Sequence, residues 1–148
     1  MIAPTVDPKA VAGVTNPLPV PTTCPYCGSV VTLVHHDKIY GKAYGDWPYS
    51  YACDDLARCN SYVGIHRNTL IPLGTLANAE LRAMRMMAKD AFNPLWQPLE
   101  GYRADRGKRT AAYRWLATQL GIPFEECHIG WFGVDTCFRV VGIIEGAK

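Results

Sequence analysis

Four cysteines constrain this chain more than any other feature. Cys24-Pro25-Tyr26-Cys27-Gly28 places two thiols with two residues between them in a Pro/Gly turn, and Cys53-Asp54-Asp55-Leu56-Ala57-Arg58-Cys59 follows, with 25 residues between Cys27 and Cys53. A tight turn of this kind points both sulfurs inward and leaves backbone N–H groups free to hydrogen-bond them, which is the geometry of a zinc knuckle. Five residues separate Cys53 from Cys59, more than the usual two to four, yet the loop can still close on one ion. Cys24, Cys27, Cys53 and Cys59 are therefore the expected ligands of one structural Zn2+. His35, His36 and His66 flank them, and one imidazole can stand in for Cys59 if the wide loop fails to close. Four thiolates would fill the coordination sphere and leave no position for water or substrate, so no catalytic residues are assigned.

With 148 residues, 49% of them hydrophobic, the chain suits one domain or a small metal-stapled module followed by a second subdomain. No apolar run is long enough to span a bilayer, and the start lacks a basic and apolar leader pattern, so a cytoplasmic, non-membrane protein is expected. In that compartment six cysteines read as metal ligands and buried thiols rather than disulfides.

Residues 1–22 carry five prolines and show no helical or strand period, which predicts an extended or disordered arm. Residues 23–71 alternate short strands with turns. A strand leaves the first knuckle at Val30–His35, another enters the second at Tyr49–Ala52, and Ser61–His66 forms a third, the layout of a zinc ribbon whose sheet is too small to be stable without metal. Residues 72–148 are expected to form two helices and a C-terminal β-hairpin packed on the ribbon, giving an α+β fold. The first helix follows Thr75, a candidate N-cap, and its apolar stripe includes Leu76, Leu81, Met84, Met87 and Ala88. The second runs from about Lys108 to Leu120, with Gly121 just past its end. The hairpin is read from the segments around Cys127–Phe132 and Cys137–Ile144, joined by the turn Gly133-Val134-Asp135.

The net charge of +2 is unevenly spread. Residues 1–81 hold 5 basic and 6 acidic side chains, residues 82–114 hold 8 and 3, and residues 115–148 hold 2 and 4. An anionic partner is thus sought at Arg82, Arg85, Lys89, Arg103, Arg106, Lys108, Arg109 and Arg114, where Trp96, Tyr102 and Tyr113 are placed to stack on unpaired bases. Charged helix faces are also ordinary solvated surface. The ribbon loop presents Lys38, Tyr40, Lys42, Tyr44 and Trp47 as a second contact surface, or as cover for the ribbon core. Cys127, His128 and Cys137 are candidates for a second metal site. Adjacent strand residues point to opposite faces, so Cys127 and His128 are not expected to form a dyad, and two buried thiols packed across the hairpin is the simpler reading.

Six strings carry a family resemblance: Cys-Pro-Tyr-Cys-Gly, Tyr-Val-Gly-Ile-His, Pro-Leu-Gly-Thr-Leu-Ala, Phe-Asn-Pro-Leu-Trp, Ala-Tyr-Arg-Trp-Leu-Ala and Glu-Cys-His-Ile-Gly-Trp-Phe. Together, from about Cys24 to Val141, they resemble the zinc-finger-containing domain family of small proteins encoded by tailed phages and prophages. The resemblance implies a zinc protein acting in the cytoplasm of a bacterial host. The expected activity is non-enzymatic contact with DNA or RNA. The alternative is a protein-interaction module that inhibits a host enzyme or defence factor.

Overall fold

The computed structural model describes residues 3–98, 103 and 105–148, which fall into two units, Met1–Ala79 and Glu80–Lys148. Each unit has its own cluster of buried residues.

In the first unit, β1 (Val31–His35), β2 (Tyr49–Cys53) and β3 (Tyr62–Gly64) form an antiparallel sheet in the order β1-β2-β3. β-Branched and aromatic side chains favour this pleated, half-buried surface. β2 is central and buried along most of its length, whereas the flanking strands are buried only in part. The register sets Val31 opposite Cys53 and Tyr51 opposite Val63. Because the first knuckle precedes β1 and the second follows β2, pairing Val31 with Cys53 brings the two cysteine pairs to the same end of the sheet. Isolated bridges Tyr62–Ala77 and Ile65–Pro72 extend the pairing. The core consists of Cys24, Val31, Tyr51, Cys53, Val63, Ile65 and Leu76, so two metal ligands are also core residues. The Tyr51 hydroxyl donates to the Leu70 carbonyl at 2.6 Å and Trp47 Nε1 to the Thr69 carbonyl at 3.0 Å, tying the long connection back to the sheet.

Two local expectations change here. The N-terminal arm is not wholly extended: Pro8–Ala12 forms a short helix, α1, whose N-cap Asp7 accepts from the Lys9 N–H, with Pro8 at the first helical position, where its missing N–H is harmless. The Asp7 N–H donates to the Asn68 carbonyl at 2.8 Å, fastening the arm. Thr75 does not cap a helix, because Leu76 and Ala77 remain extended at the Tyr62 bridge and the helix starts at Ala79.

Among its described residues the second unit has helices joined by turns and no strand. It contains α4 (Ala79–Phe92), a 3-10 turn at Asn93–Leu95, α5 (Arg106–Leu120), two further 3-10 turns at Phe124–Glu126 and Ile129–Trp131, and α6 (Val134–Gly146). The short helices α2 (Asp37–Tyr40) and α3 (Leu56–Cys59) belong to the first unit. The core of the second unit centres on Phe92, Leu116, Leu120, Ile129, Val140 and Ile144, all buried. No described helix is long and apolar enough to cross a membrane.

The expected C-terminal hairpin is absent, and α6 stands in its place. Its buried residues Cys137, Val140 and Ile144 are three and four apart, which is one face of a helix and not the alternation of a strand. The β-branched residues of this stretch suit a strand locally, but burial of the helical stripe outweighs that propensity. The mixed helix and sheet class stands, and among the described residues the sheet lies in the unit that holds Cys24, Cys27, Cys53 and Cys59.

α5 follows the sequence signals closely. Gly121 closes it in the left-handed region, φ 71°, as its position past the last apolar residue predicts. At the other end the Asp105 carboxylate accepts from the N–H groups of Gly107 and Lys108 at 2.8 and 3.4 Å. Replacing Asp105 with alanine leaves those donors without their cap and should cost about 1 kcal/mol, whereas Asp105→Asn should retain most of the stability. Urea denaturation followed by helical circular dichroism reads the difference, and equal losses in the two variants would contradict the capping role.

Candidate metal centre

The first knuckle is closed by backbone bonds. Gly28 N–H donates to the Cys24 carbonyl at 2.9 Å and Cys24 N–H to the Ser29 carbonyl at 2.8 Å. Gly28 sits at φ 78°, a conformation in which a side chain would be strained. The second knuckle solves the problem of its wide spacing with helix. After Cys53 ends β2, the residues up to Cys59 turn through α3, where Cys59 N–H donates to the Asp55 carbonyl at 2.8 Å. Asn60 then takes the left-handed conformation, φ 49°, and its N–H donates to the Leu56 carbonyl at 3.0 Å. One helical turn thus consumes the extra residues and returns Cys59 toward Cys53.

The four Sγ atoms converge. Cys24 and Cys59 are 3.5 Å apart, Cys27 and Cys53 are 3.4 Å apart, and all four lie within 4.8 Å of one another. A tetrahedral zinc at about 2.3 Å from each sulfur requires sulfur separations of about 3.8 Å, so the cage fits with small adjustments. Cys24 and Cys53 are each 1% exposed, whereas Cys27 lies at the surface. Their acidities are split accordingly. The Ser29 hydroxyl and N–H pull the Cys27 thiol down to about 6, while burial pushes Cys53 up to about 12. Four adjacent thiols cannot all ionise without a cation, and a divalent ion resolves that conflict while satisfying each sulfur. Zinc here supplies cohesion. The four cysteines would hold it in a closed all-sulfur cage, with Ser61 Oγ 3.2 Å from Cys59 Sγ beside it.

Residues 20–147 match the family model for a zinc-finger-containing domain. The chain belongs to that family. No curated protein and no solved structure matches it. The family match and the four-sulfur cage therefore converge on the metal.

Elsewhere in this zinc-finger-containing domain the sequence candidates fare unevenly. Among the described residues the four cysteines are the one group of three or more metal-ligating side chains close enough to share an ion, and no histidine joins them. His35 Nδ1 accepts from the Asp37 N–H at 3.1 Å and His36 Nδ1 from the Tyr44 N–H at 3.2 Å. Cys127, His128 and Cys137 do not assemble as a second cage. Cys127 and Cys137 are buried thiols whose acidity burial weakens, and they pack in a helical core rather than across a hairpin. His128 Nε2 lies 3.0 Å from the Glu125 carbonyl.

In the ribbon loop, Lys38, Tyr40, Lys42 and Tyr44 are exposed, but the aromatics form a connected set. Tyr40 meets Tyr44 edge-on at 5.1 Å and Tyr62 at 5.7 Å, and Lys42 Nζ lies 4.9 Å from the Tyr44 ring. Trp47 is half-buried and its indole N–H is committed to Thr69, so it braces the loop from within.

The basic helices require a correction. Arg85 is not a surface cation: it is 7% exposed, and its Nε donates to the Phe132 carbonyl at 3.0 Å. It sits in the buried stripe Leu81, Met84, Ala88 and Phe92, while the predicted core residue Met87 is exposed. Arg82 is half-buried and Lys89 exposed. On α5, Arg106, Lys108, Arg109 and Arg114 are exposed, as is Arg103 before it. They do not share one face. Arg109 lies over the Trp96 and Tyr113 rings at 5.3 and 4.9 Å, Arg114 over Phe124 at 4.4 Å, and Lys108 lines a different surface. That surface is a cleft of about 940 Å³, bordered by Met87, Leu95, Ala112, Trp115 and Ile144, which the periodicity of the sequence alone does not reveal. Tyr102 lies outside the described residues.

Proposed function

We propose that this zinc-finger-containing domain is a non-enzymatic, phage-encoded binding protein of the bacterial cytoplasm that contacts DNA or RNA. The observation that carries this reading is the cluster of exposed cations at the start of α5. Arg103, Arg106, Lys108 and Arg109 have no acidic ion-pair partner among the described residues. Three of them occupy the first turn of a helix that has no acidic residue there. The helix macrodipole is positive at this end, so the cations repel both one another and the helix terminus. The Asp105 cap offsets this only in part. Phosphates would relieve the repulsion and would release counterions as they bind. In this reading zinc orders the ribbon, the exposed loop tyrosines add contact area, and the α5 cations neutralise phosphates.

If four phosphates are neutralised, log Kobs should fall with log salt with a slope of about −3 to −4, and Arg106→Ala should reduce that slope by about one. Binding isotherms at a series of salt concentrations measure it. A slope near zero, or no binding at low salt, would defeat the proposal.

A second reading, a protein-interaction module directed at a host enzyme or defence factor, draws on Met86, Met87 and Leu95, apolar side chains that are 60%, 48% and 48% exposed. Exposed methionines suit an adaptable protein contact. Salt-insensitive capture of one defined host protein would favour it over nucleic acid.

A further inference from the structure

We propose that the α5 face bearing Arg106, Arg109 and Tyr113, together with Trp96 and the His128–Trp131 pair, is a site for single-stranded nucleic acid, with unpaired bases stacking on its rings. The inference rests on the nucleic-acid reading above and narrows it to one substrate class.

Arg106, Arg109 and Tyr113 are three and four residues apart and so lie along one face of α5. The Arg109 guanidinium is held over two rings, Trp96 at 5.3 Å and Tyr113 at 4.9 Å, and Phe92 backs Tyr113 at 4.5 Å from within the core. Trp96 is fixed in turn, its Nε1 donating to Asn93 Oδ1 at 3.3 Å. The guanidinium is thereby presented as a flat, charged shelf and not as a mobile point charge. His128 and Trp131 form a second ring pair, with centroids 4.3 Å apart and planes inclined by 37°. Burial, and to a lesser degree the nearby Arg109 charge, lower the pKa of His128 against the opposing pull of the Glu125 carbonyl, so the two ring groups belong to one neighbourhood. Trp96, Tyr113, His128 and Trp131 are all half-buried: anchored, yet partly open.

This combination discriminates between nucleic acid forms. A duplex hides the faces of its bases in its own stack and offers the protein phosphates and groove edges, so rings beside the cations would gain little from it. A single strand offers both phosphates and bare base faces, and each base stacked on an aromatic side chain adds to its affinity. A helix that reads a groove also needs a long exposed face, whereas the second half of α5 buries Leu116, Ala117 and Leu120.

The test is fluorescence anisotropy with a labelled single-stranded DNA of mixed sequence, about 20 nucleotides long to exceed one site, against the duplex of the same sequence. Arg109→Lys, which keeps the charge but loses the planar shelf, is measured alongside, with zinc content and helical circular dichroism confirming that it folds. The single strand should bind about tenfold more tightly than the duplex and quench tryptophan emission. Arg109→Lys should weaken the single strand about fivefold to tenfold and leave the duplex nearly unchanged. Salt-dependent binding that is equal for both forms, or tighter for the duplex, would overturn the single-strand inference while leaving the nucleic-acid reading intact. Absence of binding to either form at low salt would remove both.

Discussion

Stripping the zinc should unfold the Met1–Ala79 unit and leave the helical signal of Glu80–Lys148 largely in place. The first unit has a three-stranded sheet, and two of the seven residues in its core cluster, Cys24 and Cys53, are themselves ligands. Without the ion, that core loses its centre and four thiols are left crowded at one end of the sheet. Structural zinc contributes about 10–16 kcal/mol of binding free energy near neutral pH, more than the total stability of most small domains. The second unit's core contains none of the four ligands, so its helices have no direct stake in the metal. Cys53→Ser should have the same effect as a strong chelator, because Cys53 is buried at the end of β2 and its replacement is a poor zinc ligand. Amide NMR spectra before and after chelation separate the two units by residue. A first unit whose spectrum survives complete metal removal would contradict the account.

Phe92→Ala should be the most damaging single change in the second unit. Phe92 is 0% exposed at the end of α4, and its ring packs 4.5 Å from that of Tyr113 on α5. Truncation removes the apolar contact and leaves a cavity between α4 and α5 that neither helix can readily close. Such substitutions cost about 3–5 kcal/mol, a large part of the stability of a unit this size. Phe92→Leu, which keeps most of the volume, should cost about 1.5 kcal/mol or less. Denaturant unfolding followed at 222 nm, a wavelength that reports helix, or about that, would measure both. A loss under about 1 kcal/mol for the alanine variant would mean that Phe92 is not the packing centre described here.

The sequence exposes some of this architecture and conceals the rest for identifiable reasons. The ligand set is readable because metal geometry demands close pairs, and Cys24, Cys27, Cys53 and Cys59 supply them at an interval that a strand, loop and strand can fill. The end of α5 is equally readable, since Gly121 satisfies backbone groups that every helix end leaves open. Its start falls at Arg106, behind the Asp105 cap, two residues before the Lys108 that the sequence suggests. α6 is harder to see. Cys137, Phe138, Val140, Val141, Ile143 and Ile144 are the residues a strand would choose, and only the spacing of the buried members identifies a helix. Arg85 shows the opposite error: its charge places it among surface cations, yet its position between Met84 and Ala88 puts it in the buried stripe, where the Phe132 carbonyl meets it. Treating the cations of α5 as one face fails for geometric reasons. Lys108 and Arg109 are adjacent, and consecutive helical residues point about 100° apart. The pairing of His128 with Trp131 has a faint signal in their three-residue separation, but it is formed by a 3-10 turn where a strand is expected.

X-ray absorption at the zinc edge, combined with metal analysis of the purified chain, tests the central claim most directly. The account predicts one zinc per chain surrounded by four sulfur atoms at about 2.3 Å. A nitrogen atom in the first coordination sphere, a second ion per chain, or a folded chain without zinc would contradict it.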